Sequence, residues 1–247
     1  MSIIAPWYQL GYVIPHLYTD LDAYQFYHTA PEGMMLLTTG LNLTDYTLAA
    51  VETELPTLWQ RFDLLASKKV DRLSLSGVPV ASALGRSKMR EILAEGEKRT
   101  GIACDTDLEA HIATLKHFGA KKIALATRWP DKVNNALTAY LKEGGIEVIA
   151  CESHPRTLNE NKYSSAAADH DLALDLGRKV LRAAPAADAL LMPGGLWFAI
   201  HAVPMLEAEF GKPVLLNILS TTWAALHSAK SVPHRPDSKW GKVLQNF

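Results

Sequence analysis

Short apolar runs alternate with longer stretches whose apolar residues recur every three or four positions, and few folds accommodate that alternation. The runs at 8–14 (YQLGYVI), 33–38, 72–75, 122–127, 147–151, 189–192 and 213–216 read as buried strands. Helical spacing covers 47–67, where Leu48, Val51, Leu55, Leu58, Phe62 and Leu65 share a face, and then 87–101, 107–118, 132–142, 166–183, 199–210 and 221–228. Strands joined through helices at this spacing predict crossover units and an α/β fold built on mostly parallel sheet. Gly119, and Gly144 with Gly145, stand where helices would stop.

The alternation also repeats. The segment 70–77 (VDRLSLSG) resembles 187–194 (ADALLMPG), and 10–15 resembles 123–129 at nearly the same offset. Two similar, pseudo-symmetric α/β lobes follow, each a mostly parallel sheet flanked by helices. Their expected extents are residues 1–118 with 216–247 for the first lobe and 119–215 for the second. Matched strand-end turns would then face each other across a cleft at the carboxyl ends of the strands, the usual ligand site of such sheets.

Composition narrows the function more than the fold. The chain has 247 residues, a formal charge of −1, 48% hydrophobic and 21% charged residues. This balance creates no general field for nucleic acid or an anionic membrane, so neither is expected as a partner. Two cysteines, Cys104 and Cys151, are too few for a disulfide framework. The N-terminal residues lack the basic start and unbroken apolar run of a signal peptide, and a cytoplasmic location is the expectation. There is no HExxH, CxxC, GxGxxG or GxxxxGK[ST] sequence, so neither a metal nor a cofactor is expected.

Two glycine turns are the candidate sites of chemistry. Ser76, Gly77 and Val78 end one strand, and Pro193, Gly194 and Gly195 end its counterpart. Glycine lets a ligand approach the backbone closely, and a helix starting just after each turn would add positive potential suited to a carboxylate or an oxyanion. Tight turns alone would account for the same glycines.

At these turns the chain resembles a known family. The stretches LSLSGVPVASALG (73–85), AHIATLKHFGAKKIALATRWPDKVNNALTAYL (110–141) and LLMPGGLWFAIHAVPMLEAEFGKPVLLN (190–217) are similar to the maleate isomerase and arylmalonate decarboxylase branch of the aspartate/glutamate racemase superfamily. The similarity runs from about Gly11 to Lys230. The resemblance implies a two-lobed fold that commonly self-associates, here a possible homo-oligomer. It implies proton chemistry at a carbon beside a carboxylate, performed in that superfamily by cysteines on the two glycine turns.

This chain departs from that pattern where it matters most. The first cysteine position falls at Gly77 or Ser76 and the second at Pro193, so both thiols are missing. Val78 and Pro79 replace hydroxyl residues that bind a carboxylate in the decarboxylases, and Trp129 replaces a tyrosine. At the third strand end, CDTDLE places Asp105, Asp107 and Glu109 within five positions. Asp107 reads as a helix cap and Glu109 as a first-turn acid, whereas Asp105 precedes the cap and could point into the cleft, where it would disfavour a dianion.

The expected catalytic residues are His16, an imidazole after Pro15 at the end of the first strand that can act as acid or base near neutral pH, with Asp105 and Glu109. Ser76, Gly77, Val78, Trp129, Pro193, Gly194, Gly195, Asn217 and Thr221 are the expected substrate contacts. Tyr18, Tyr24, Phe26 and Tyr27 form an aromatic stretch suited to a lid or a dimer contact. Three readings stay open. One is a cofactor-independent decarboxylase or isomerase acting on a small carboxylic acid or related carbonyl compound, with non-thiol proton transfer and an oxyanion held by the glycine turns. Another is a hydrolase of a small amide, imide or lactone in which Asp105 or Glu109 activates water. The last is a small-ligand-binding protein without chemistry.

Overall fold

The computed structural model describes residues 5–17, 21–43, 47–245 and 247. Two four-stranded parallel sheets form its frame. In the first, β1 (Tyr8–Ile14), β2 (Met34–Gly40), β3 (Arg72–Leu75) and β4 (Cys104–Thr106) lie in the order β2-β1-β3-β4. In the second, β5 (Lys122–Thr127), β6 (Glu147–Ser153), β7 (Ala189–Leu191) and β8 (Val214–Leu215) lie in the order β6-β5-β7-β8. The two orders are the same order displaced by four strands, which is the duplication the repeated sequence predicts.

Helices fill the crossovers: α1 (Leu21–Thr29), α2 (Leu48–Ser67), α3 (Val78–Leu84), α4 (Arg86–Thr100), α5 (Asp107–His117), α6 (Asp131–Glu143), α7 (Leu158–Lys162), α8 (Ala166–Ala183), α9 (Ala202–Phe210) and α10 (Asn217–Ser228). Sheets covered on both faces need apolar residues at successive positions rather than at alternate ones. Leu10, Tyr12 and Val13 of β1 and Ile123 through Ala126 of β5 are accordingly buried without exception. The helix starts carry local caps: Thr47 accepts from the Ala50 amide, Ser165 from the Ala168 amide, and Thr157 closes a capping box with Glu160. The period of α2 continues through Pro56, which sits on its exposed side.

The structure adds elements that the hydrophobic period does not show. β4 is only three residues long and contains Asp105. Helices α1, α3 and α7 are short. The segment 231–245 turns back onto the body in two 3-10 turns, Ser238–Trp240 and Lys242–Leu244. Trp240, Val243 and Leu244 are buried there, and Glu207 of α9 accepts the Lys242 amide at 2.8 Å. No helix among the described residues is long and apolar enough to cross a membrane.

Candidate active site

The carboxyl ends of four strands converge on one pocket. β1 delivers Pro15 and His16, β3 delivers Ser76 and Gly77, β5 delivers Arg128 and Trp129, and β7 leads to Gly194 and Gly195. The pocket is narrow, with a cavity of about 50 Å³, and it opens to solvent. The two glycine turns, each from a different sheet, thus face one hollow.

A buried carboxylate ties those turns together. Asp107 Oδ2 accepts from the Gly77 amide (2.9 Å), Ser76 Oγ (2.9 Å) and Asn217 Nδ2 (2.8 Å). Its Oδ1 is approached by the hydroxyls of Tyr12 (3.1 Å) and Thr221 (3.2 Å). Asn217 Oδ1 in turn accepts from the Gly194 amide and from His111 Nε2, each at 2.9 Å. The proton of His111 therefore sits on Nε2, and its Nδ1 accepts from Ser220 Oγ at 2.8 Å. Amides expected to grip a ligand oxygen, those of Gly77 and Gly194, instead hold the turns to Asp107 and Asn217. Burial pushes the Asp107 carboxyl up to about 6, although the Gly77 amide and the Ser76, Tyr12 and Thr221 hydroxyls all pull it down.

Gly77 shows how tightly this arrangement is built. It has φ +113°, and a Cβ there would stand 2.5 Å from Pro15 Cγ and 3.1 Å from Val80 Cγ2. Gly77→Ala combines a backbone conformation that L residues avoid with a collision, and is expected to lower the unfolding free energy by about 2 kcal/mol in a urea titration. A loss below about 0.5 kcal/mol would show that the turn relaxes freely.

Three further polar side chains reach the pocket wall. Arg128 is buried, with Nη1 3.5 Å from Asp169 Oδ1 and its guanidinium 4.9 Å from the centre of the Trp197 ring. Asp169 also holds Arg156 at 2.9 Å. Asp22, near the start of α1, is buried, and its Oδ1 has no hydrogen-bond partner among the described residues. Burial first, and the nearby charge of Asp107 second, push its carboxyl up to about 8. Asn161 also brings a buried side-chain oxygen, Oδ1, that lacks a hydrogen-bond partner. A buried polar atom without a partner inside a pocket marks a place where a ligand group or water completes the set.

The residues singled out in the sequence divide into three groups. His16, Ser76, Gly77, Val78, Trp129, Gly194 and Gly195 line the pocket. His16 Nδ1 lies 3.1 Å from the Leu43 carbonyl, which only accepts, so Nδ1 carries the proton; burial lowers the pKa of the ring. Asn217 and Thr221 sit behind the wall, on Asp107, and Pro193 is buried without lining the pocket.

Asp105 and Glu109 point elsewhere. Asp105 pairs with Arg72 at 2.7 Å, and Glu109 is gripped by Arg86 Nε and Nη2 and by Tyr140. Asp107 is not the helix cap: Thr106 occupies that position, and Asp107 is the first helical residue with its side chain turned to the network. Cys104 is buried beside Glu97, with its thiol pushed up to about 12 chiefly by burial, and Cys151 is exposed. Neither lines the pocket. Tyr18 lies outside the described residues.

Comparison with known proteins agrees with this architecture. A family model described as arylmalonate decarboxylase matches residues 18–241. The arylmalonate decarboxylase of Bordetella bronchiseptica is 26% identical over 193 residues, covering 78% of this chain and 79% of its own length. Among solved structures, a double mutant of arylmalonate decarboxylase in a liganded form superposes with a TM-score of 0.86 at 21% identity, covering 97% of this chain and all (100%) of that one. A maleate isomerase variant from Pseudomonas putida with maleate gives 0.81 at 19% identity, with 96% and 97% covered. At these identities the structural likeness establishes the fold.

Proposed function

The chain belongs to the arylmalonate decarboxylase family, and from that premise we propose that it is a lyase or isomerase acting, without a cofactor, on a small carboxylic acid through an enolate-like state at the carbon beside the carboxylate. The observation that carries this reading is the Arg128 guanidinium, buried at the wall of the pocket that both glycine turns line. A planar, permanently charged fork is suited to a carboxylate, and a charge-assisted pair formed out of water fixes its orientation. Ile14, Val78, Pro79 and Trp129 supply an apolar wall for the organic substituent. Relatives named for arylmalonate and maleate chemistry suggest a malonate or a short dicarboxylate as the first compounds to try.

The geometry does not favour the hydrolytic reading. It required Asp105 or Glu109 to activate water, and both are held in ion pairs outside the pocket lining.

The test is turnover over a panel of 2-substituted malonates, maleate and 2-aryl carboxylic acids, followed by carbon dioxide release, by isomer composition and by deuterium uptake from heavy water. Arg128→Met is expected to raise KM about 10- to 100-fold, the cost of one or two charge-assisted hydrogen bonds, with a smaller change in kcat. Arg128→Lys keeps the charge but loses the fork, and is expected to fall between the two. Saturable binding with no turnover by the wild-type protein would leave a ligand-binding protein in place of an enzyme.

A further inference from the structure

We propose that Asp22 is the proton donor of this site, the acid that delivers hydrogen to the carbon of the enolate in a chain whose glycine turns carry no thiol. The proposal rests on the reading given under Proposed function and adds to it the group that performs the proton transfer.

Three observations place Asp22 there. Its carboxyl lines the pocket, buried, with Oδ1 unpartnered among the described residues. It lies directly against Gly195: a Cβ on that glycine would stand 2.8 Å from Asp22 Oδ1 and closer still to Oδ2. The missing side chain at Gly195 is what admits the acid to the second glycine turn. Its helix is also pinned to that turn. Gln25, one turn further along α1, accepts the amides of Ala199 (3.3 Å) and Ile200 (3.1 Å), just downstream of Gly194 and Gly195. The donor is thus fixed to the lobe opposite the Gly77 turn.

The other groups facing Asp22 do not fit the role. Asp107, from α5, has both oxygens engaged by donors and lies behind the Gly77 turn. Tyr12, from β1, is held well above its ordinary range by burial and by the two carboxylates. His16, after β1, carries its proton on Nδ1 toward Leu43 and is driven toward the neutral form. Arg128, after β5, keeps its proton at any accessible pH. Asp22, raised by burial and by Asp107 to about 8, is protonated through neutral pH and still gives its proton up readily, the combination a general acid needs.

The step balances with a malonate. The bond from the α-carbon to one carboxylate breaks, its electron pair remains as the enolate, and carbon dioxide leaves. The enolate pair then forms a C–H bond with the Asp22 proton, leaving a carboxylate that water or hydronium reprotonates. One proton is taken up for each carbon dioxide released.

The experiment compares wild type and Asp22→Asn on the same panel of acids, with binding followed by ligand-induced thermal shift. The expected result is at least a 100-fold loss of kcat in Asp22→Asn, a KM within threefold, and retained binding. Wild-type kcat is expected to fall as pH rises through about 8, where the acid form is lost. Asp22→Asn turning over within threefold of wild type would overturn the assignment while leaving the family reading intact. Wild-type activity that rises between pH 8 and 9 would overturn it too, and needs no variant. A wild type silent on the whole panel would remove the enzymatic reading, and this inference with it.

Discussion

Asp107→Ala is expected to cost about 3–5 kcal/mol of stability, measured by urea unfolding near neutral pH. Five donors reach this carboxylate from four elements and their ends: Tyr12, Ser76, the Gly77 amide, Asn217 and Thr221. The hydroxyls can rotate to other acceptors, and Tyr12 already shares Ser76 Oγ at 2.9 Å. The Gly77 amide cannot turn, and Asn217 is locked by the Gly194 amide and His111 on its other end. Two buried donors are then orphaned at about 1–3 kcal/mol each, and the charge-assisted bonds are lost besides. Asp107→Asn keeps the shape and one acceptor oxygen but sets an NH₂ against donors, so a loss of about half that size is expected. Both variants free the Gly77 turn from the Gly194 turn, and turnover should fall with stability. A loss below about 1 kcal/mol for the alanine variant would mean that water replaces the carboxylate and that the network does not hold the turns.

How much of this was readable in advance depends on what carried the periodicity. The bounds of β1, β3, β5 and α8 follow directly from apolar runs and helical spacing. Helix α1 shows why others do not. It buries Asp22, Gln25, Phe26 and Thr29, the spacing of a helix face, but three of the four are polar, so a hydrophobic reading passes over it. Gln25 docks α1 on the segment after the second glycine turn and Asp22 lies against Gly195, whereas the Thr29 hydroxyl donates back to its own helix. The acids of 105–109 fail for another reason. Sequence shows three carboxylates close together, while strand β4 and the first turn of α5 send them in different directions, one to Arg72, one to the network and one to Arg86. Arg72 and Arg86 are far from them along the chain, so only the fold reveals which acid is left for the cleft. Arg128 had a weaker signal: it follows β5 directly, beside Trp129, a position at the carboxyl end of a strand where ligand contacts concentrate.

Between pH 6.5 and 8 the stability of the wild-type protein is expected to fall by about 2 kcal/mol relative to that of Asp22→Asn. The folded-state pKa of Asp22 is about 8 against an ordinary 3.8. A raised acid favours the folded state most below its unfolded pKa, and the advantage is lost as pH climbs through the folded value, because the unfolded chain ionises first. Asp107, raised to about 6, acts with the same sign but is exhausted by the start of the window. His111, lowered to about 4 by burial, acts with the opposite sign between pH 4 and 6.5 and offsets the two acids there. Above 6.5 the histidines lowered by burial, His16, His111, His201 and His227, contribute with the opposite sign in both proteins alike, so Asp22 sets the difference between the two profiles, about 1.4 kcal/mol per pH unit while the folded form holds one extra proton. Summed from pH 4 to 8, burying this acid costs at most about 5–6 kcal/mol, and an asparagine in its place keeps a burial cost of about 1–3. Asp22→Asn is therefore expected to be about 2–4 kcal/mol more stable than wild type at pH 8, by denaturant titration at half-unit pH steps. Parallel profiles for the two proteins would show that Asp22 is not held protonated. A gain in stability joined to a loss of turnover is the combination a functional acid predicts, since a residue kept only for the fold would not stand at a position where its neutral isostere stabilises the protein.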